Sequence, residues 1–198
     1  MADGGLPGNQ PGDRPANQPG VLAVGGLTTV PVLSRLDLVA LPVRAALEAW
    51  EGASEVGVVE IDPGLADTAA LSAAFDLPLE ASGNCVVVGG RRDGVARTAA
   101  CVVRADTRAD VNNLVKRRLD VRKASFLSMD QAVTETAMEY GGITPVGLPD
   151  GWRLFVDASL LEQAAVVVGS GLRRSKLFLP GPLLAQVPGA EVVEGLGR

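Results

Sequence analysis

The sequence predicts a single α/β domain of the α+β kind, in which a mixed β-sheet is packed by helices. Three observations carry this. Short β-branched runs alternate with stretches of helical periodicity, as where residues 56–61 precede the Ala-rich stretch after Asp67-Thr68. Two strand-like runs, 84–88 and 96–104, flank Gly89-Gly90-Arg91-Arg92-Asp93-Gly94, whose glycines and Asp-Gly pair suit a hairpin turn and make the runs antiparallel neighbours. The chain has 198 residues, 47% of them hydrophobic, which suits one core. An all-parallel, doubly wound sheet is not expected from such a mixture.

Residues 1–20 are rich in Gly, Pro, Asn and Gln, cannot bury enough apolar surface to offset ordering entropy, and are expected to form a disordered tail ahead of a domain over 21–198. From Val21 the texture changes. Leu36, Val39, Val43, Leu47 and Trp50 recur near helical spacing, and Pro42 divides that helical opening segment into two short pieces. The strand over 56–61 leads to a helix capped by Asp67-Thr68 and running to about Phe75. After the hairpin, Asp110 is placed to cap a helix with Val111, Leu114, Val115 and Leu119 on one face and basic residues on the other. A strand near 124–127 and a helix from Asp130 to about Met138 follow. Residues 140–151 are rich in Gly and Pro and read as an ordered loop. Three short strands near 154–156, 165–168 and 176–179, a helix from Pro182 and a strand near 191–193 end the series. There is no internal repeat.

Composition removes several function classes. No histidine occurs, so the commonest general base and the commonest zinc ligand are missing, and Ser-His-Asp and Cys-His mechanisms with them. No cofactor and no metal are expected. Aromatic residues are 4%, too few for a platform that stacks successive bases. Cys85 and Cys101 lie in apolar strand-like runs and read as buried, reduced thiols rather than a reactive pair. The N-terminus lacks the charged start and apolar centre of a signal peptide, and no apolar run approaches the roughly 20 residues that cross a bilayer, so a cytoplasmic protein without membrane contact is expected.

Net charge is −5, but it is unevenly placed: residues 1–83 carry 3 basic against 11 acidic side chains, and residues 84–198 carry 15 against 12. The basic groups cluster at Arg91-Arg92, Lys116-Arg117-Arg118, Arg122-Lys123 and Arg173-Arg174-Ser175-Lys176. They form either solvated faces or a local phosphate-binding surface on an acidic protein. Gly169-Ser170-Gly171 before Arg173, Arg174 and Lys176 is not a P-loop, because no Gly-Lys-Ser/Thr opens a helix there. Those three side chains are candidates for contact with a phosphate, or they mark a solvated strand edge.

The most distinctive text is Tyr140-Gly141-Gly142-Ile143-Thr144-Pro145-Val146-Gly147. Glycines beside a rigid proline let backbone N–H groups approach a carbonyl oxygen or phosphate, and the same residues also make a plain tight turn. Gly141 to Gly147 is similar to the Gly-Gly-Ile/Val-Ser/Thr-Pro-x-Gly segment of YbaK-like and prolyl-tRNA-editing domains. The likeness continues through Asn112-Asn113-Leu114-Val115, Phe155-Val156-Asp157-Ala158-Ser159-Leu160-Leu161 and Ser175-Lys176-Leu177, and spans roughly residues 56–196.

This resemblance implies a mixed, partly barrel-like sheet and hydrolysis, in trans, of the ester of a mischarged tRNA. The partner would be that tRNA's acceptor end, with a homodimer as a candidate assembly. On this basis the catalytic candidates are Asn84, Gly141, Gly142 and Asp157, and the substrate-binding candidates are Ile143, Thr144, Pro145 and Thr68 beside Arg173, Arg174 and Lys176. Asp157 also fits a helix cap over 158–162, and Asp67-Thr68 a helix cap as well. One departure stands out. The family usually has a lysine where this chain has Asn84, so a neutral amide replaces an ammonium that would orient substrate or stabilise negative charge. The alternative function is accordingly a catalytically inactive module that keeps the fold and binds tRNA or another ligand.

Overall fold

The structure, a computed structural model, describes residues 18–198. The tail expected over residues 1–20 lies outside the described residues apart from its last three, and Gly20 already belongs to the fold. Its carbonyl accepts from the Thr29 hydroxyl at 2.9 Å, and a φ of +77° lets the backbone pass against Pro31 and Val56. Three strands that the sequence reading leaves out come next: β1 (Ala23–Val24), β2 (Leu27–Thr28) and β3 (Val30–Pro31). Two residues are too few to show a period. Short 3₁₀ turns then lead into α1 (Leu41–Ala49), where Pro42 lies in the first turn, the one place in a helix where its missing N–H costs nothing.

β4 (Gly57–Glu60) is followed by α2 (Thr68–Phe75), whose first turn is held by the Asp67 carboxylate accepting from the amides of Ala69 and Ala70 at 2.9 and 3.3 Å. β5 (Gly83–Arg92) and β6 (Val95–Arg104) form the expected hairpin. The strands are longer than expected, and the turn is Asp93-Gly94 alone, both left-handed at φ 51° and 83° as a type I′ turn requires. A π-helical turn over Val111–Val115, capped by Asp110, runs into α3 (Lys116–Leu119). β7 (Ala124–Phe126), α4 (Met129–Thr136), β8 (Arg153–Asp157), β9 (Val166–Gly169), β10 (Ser175–Leu179) and β11 (Ala190–Val193) follow, with a 3₁₀ stretch over Gly181–Gln186 before the last strand.

β1 pairs with β2. A four-stranded antiparallel sheet has the order β3-β4-β10-β9, and a five-stranded mixed sheet the order β11-β8-β6-β5-β7, in which β8 is parallel to both β11 and β6. None of the three closes into a barrel. The main core lies between the two larger sheets: Val156 and Val102 from one meet Leu177, Leu179 and Val166 from the other, with Val43 and Leu47 of α1. The outer face of the five-stranded sheet carries Cys101 and Phe155 against Val115 and Leu119, and the outer face of the four-stranded sheet carries Phe178 and Val167 against Leu71 of α2. Strand alternation therefore sends Ser175, Leu177 and Leu179 into the main core and Lys176 and Phe178 to the side where α2 lies. The two large sheets meet at a seam, where Ser82, just before β5, bridges to Val167 of β9.

Candidate active site

A cavity of about 550 Å³ opens at this seam, within the size range of small-molecule sites. Its inner wall is made of buried residues, among them Ala66, Leu71, Gly83, Val168 and Lys176, and its mouth carries Phe126, Met129 and Tyr140, which are 60%, 52% and 55% exposed. The segment before α2, the start of β5, the end of β9, the corner between β7 and α4, and the glycine loop each supply one side.

Asn84, one residue into β5, faces Thr68, the first residue of α2. The Thr68 hydroxyl donates to the Asn84 side-chain oxygen at 2.8 Å, and both residues line the cavity. Asn84 lines the cavity, and among the described residues its two amide N–H donors have no protein acceptor.

The loop is pinned from behind. Gly142 donates to the Glu139 carbonyl at 2.9 Å and its own carbonyl accepts from Gly171 at 2.7 Å, while Glu139 donates to the Gly171 carbonyl at 2.8 Å. Gly142 lies against the Leu172 backbone, and a Cβ on Gly169 would come within 2.2 and 2.5 Å of the carbonyls of Gly142 and Ile143, so the loop rests directly on β9. Gly141 turns with φ +83°. Gly141 and Ile143 line the cavity, and among the described residues their amides donate to no protein acceptor. The Gly142 amide, proposed from the sequence as an active-site donor, is already engaged by Glu139. Thr144 and Pro145 do not line the cavity: they are buried behind the loop, where the Thr144 hydroxyl lacks a hydrogen-bond partner.

The three basic residues expected to act together are separated. Arg173 reaches from the rim to the carbonyls of Tyr140 at 3.2 Å and Pro63 at 3.0 Å, clamping the loop to the turn before α2. Arg174 faces away, donates to the Asp37 carbonyl at 2.6 Å and pairs with Glu60 at 3.6 Å. Lys176 is 6% exposed inside the cavity and donates to the Ala66 carbonyl at 2.8 Å. Burial pushes its ammonium down to about 8, the Asp67 carboxylate acting against this and the Arg173 guanidinium with it. The sequence carried a signal for this placement: a lysine inside Ser175-Lys176-Leu177-Phe178-Leu179, a run buried on both faces, has to point into a core or a pocket.

Asp157 lies outside the cavity. Its carboxylate caps the 3₁₀ turn over Ala158–Glu162 by accepting from the amide of Ser159 at 2.9 Å and its hydroxyl at 2.6 Å, and it also accepts from the amide of Gly197. The bland alternative of a helix cap is thus what the geometry displays. Cys85 lines the cavity, but burial and the neighbouring Cys101 push its thiol above the usual range, which leaves it protonated and unreactive. Both cysteines are free.

A mixed α/β fold with a loop-covered cavity at the junction of two sheets defines the class of protein. The Aminoacyl-tRNA editing domain model matches residues 62–186, and the chain belongs to that family. A search of curated proteins finds no match. Among solved structures, the fold is similar to that of a candidate trans-editing enzyme for prolyl tRNA synthetase, with a TM-score of 0.66 and 21% identity over 79% of this chain and 95% of that one. It is also similar to the hypothetical protein APE2540, with a TM-score of 0.63 and 22% identity over 71% and 90% of the two chains. A scaffold used for epitope backbone grafting has a TM-score of 0.64 and 23% identity over 79% and 95%. Among the described residues, no helix is long and apolar enough to cross a membrane.

Proposed function

We propose that this protein is a trans-acting aminoacyl-tRNA deacylase that hydrolyses the ester of a mischarged tRNA in the cavity at the seam. The observation that carries the reading is that one cavity is lined by two loop residues, Gly141 and Ile143, and by Asn84, whose amide donors have no protein acceptor among the described residues. The carbonyl oxygen of the ester sits against the N–H groups of Gly141 and Ile143, which stabilise the negative charge that develops there. Asn84 donates to an oxygen of the terminal ribose or to the attacking water, and Thr68 fixes its orientation. Water adds to the carbonyl carbon, the bond to the ribose oxygen breaks, and the proton lost by water ends on that oxygen, so free amino acid and an uncharged 3′ end leave. No covalent enzyme intermediate forms. The exposed ring of Tyr140 and Phe126 at the mouth suit the last base, and Arg173 holds the loop in place.

The family match over residues 62–186 supports this reading. The neutral Asn84 favours a second one, in which the cavity binds the charged end without hydrolysing it. Incubating the protein with a panel of tRNAs carrying labelled non-cognate amino acids tests both. Enzyme-dependent release from at least one tRNA is expected. Binding without release across the panel would select the inactive module, and neither binding nor release would overturn both readings.

A further inference from the structure

Burial sorts the cavity. Its mouth, with Phe126, Met129, Tyr140 and Asp67, is exposed, whereas the inner wall that holds Lys176 is made of buried residues, Ala66, Leu71, Ser82, Gly83, Val167 and Val168. A lysine in such surroundings is an oddity, because an ammonium taken out of water needs compensation. Lys176 has one carbonyl partner, Ala66. Asp67 acts on it electrostatically, but its carboxylate oxygen is engaged by the amides of Ala69 and Ala70 and forms no ion pair with Lys176. Two of the three ammonium donors are thus left for whatever occupies the cavity.

We propose that Lys176 forms an anion subsite that selects a carboxylate on the acyl part of the ligand, so that the preferred ester carries an amino acid with an acidic side chain. The inference rests on the deacylase reading for the orientation of the ligand. A polynucleotide enters by its 3′ end, so its phosphates stay at the exposed mouth and the acyl group is the part that reaches the inner wall. The loop amides of Gly141 and Ile143 already serve the ester oxygen, which leaves Lys176 for the side chain. Leu71 and Val167 offer nothing to a second polar group, and among the described residues Ser82 is the one other buried polar side chain in the wall. A site of this kind discriminates strongly, since a ligand without the matching group leaves a buried charge unpaired. Differences of up to about 10⁴-fold arise in this way.

The experiment compares near-isosteric acyl groups, glutamyl against methionyl and aspartyl against leucyl, on one tRNA. Wild type is expected to favour the acidic member by about 10²-fold or more in kcat/KM, and Lys176→Met is expected to erase that preference while still hydrolysing the neutral ester. Equal rates in wild type, or a Lys176→Met loss that is the same for every acyl group, would overturn the proposal and leave the deacylase reading in place. If no ester is hydrolysed, the lysine Cε resonances of wild type are followed against pH with non-hydrolysable 3′-glutamylamido- and 3′-methionylamido-adenosine. A rise in the Lys176 titration point with the glutamyl compound alone supports the subsite. A rise with neither, or with both equally, overturns it. Adenosine 5′-phosphate serves as the control for a phosphate source, and a rise with it instead of the glutamyl compound also overturns the assignment.

Discussion

The hydroxyl of Thr68 and the side-chain oxygen of Asn84 lie 2.8 Å apart, joining the first turn of α2 to the start of β5 in the wall of the cavity. Because the oxygen of the amide is occupied, its N–H donors are what it has left for a ligand. Asn84→Ala should lower kcat by about 10²-fold with an unchanged thermal midpoint, the lower end of what loss of one aimed donor does. Thr68→Val keeps the shape and removes the orienting group, so it should lower kcat less than Asn84→Ala. Steady-state deacylation and a thermal melt of each variant check this. An Asn84→Ala enzyme at full rate would remove Asn84 from the mechanism.

Asp157 offers a contrast, since its carboxylate holds the Ser159 and Gly197 amides and touches no ligand space. Asp157→Ala should cost about 2 kcal/mol of stability through the lost cap and the lost charged hydrogen bond, with kcat retained below the melting range. Urea unfolding together with turnover separates the two effects.

Gly169 is a lever on the loop. A methyl group there would collide with the carbonyls of Gly142 and Ile143. Gly169→Ala should shift the amides of Gly141 and Ile143 away from the ester and reduce kcat/KM by about 10²-fold, the usual result of misplacing donors by an ångström. A kcat/KM at the wild-type level would mean that the loop amides are not the oxyanion donors.

The burial of Lys176 also makes a stability prediction with a definite sign. Its folded titration point of about 8 lies below the ordinary 10.5, so between these values the unfolded chain binds more protons and stability rises with pH. Below pH 8 the lysine is charged in both states and its desolvation works against the fold in full. Besides Ala66, the groups facing it are Asp67, which raises the titration point, and Arg173, which lowers it. Lys176→Met should therefore stabilise the ligand-free protein at pH 7, on the order of 2 kcal/mol, by an amount that shrinks towards pH 10. Denaturant titrations at the two pH values check this, and a gain that grows with pH would contradict it.

Arg173 and Arg174 are adjacent in sequence and opposite in position. Arg173→Ala frees the loop from Pro63 and should raise KM several-fold, whereas Arg174→Ala, which loses an exposed pair with Glu60 and a hydrogen bond to the Asp37 carbonyl, both away from the cavity, should leave KM within about twofold at physiological salt. Equal effects would restore a shared basic face.

Much of this architecture is written in local sequence. Asp93-Gly94 marks the hairpin because its two left-handed residues are what a two-residue turn needs, and Asp67, Asp110 and Ser128 each stand where a helix begins and cap it. The glycine loop is legible for the same reason. What local sequence does not contain is which strand lies beside which. In sequence Lys176 belongs to a basic run with Arg173 and Arg174, yet β10 is buried between β4 and β9, and this pairing turns residue 176 towards Ala66, more than a hundred positions away. Asp157 is the last residue of a strand whose end lies away from the cavity, a fact fixed by the parallel pairing of β8 with β6 and β11. The strands β1 to β3 are too short for any alternation to register.

Among the described residues, the seam at Ser82 and Val167 is the one β-bridge between the two large sheets. The aperture of the cavity is therefore calibrated by the aliphatic layer that sets the spacing of the sheets, in the way a shim sets a gap. Methyl groups on Val166, Leu177 or Val156 never meet a ligand, yet interiors transmit changes of volume rather than absorbing them. Drift in this layer among relatives would retune which acyl groups fit, without a single change among the residues that line the opening.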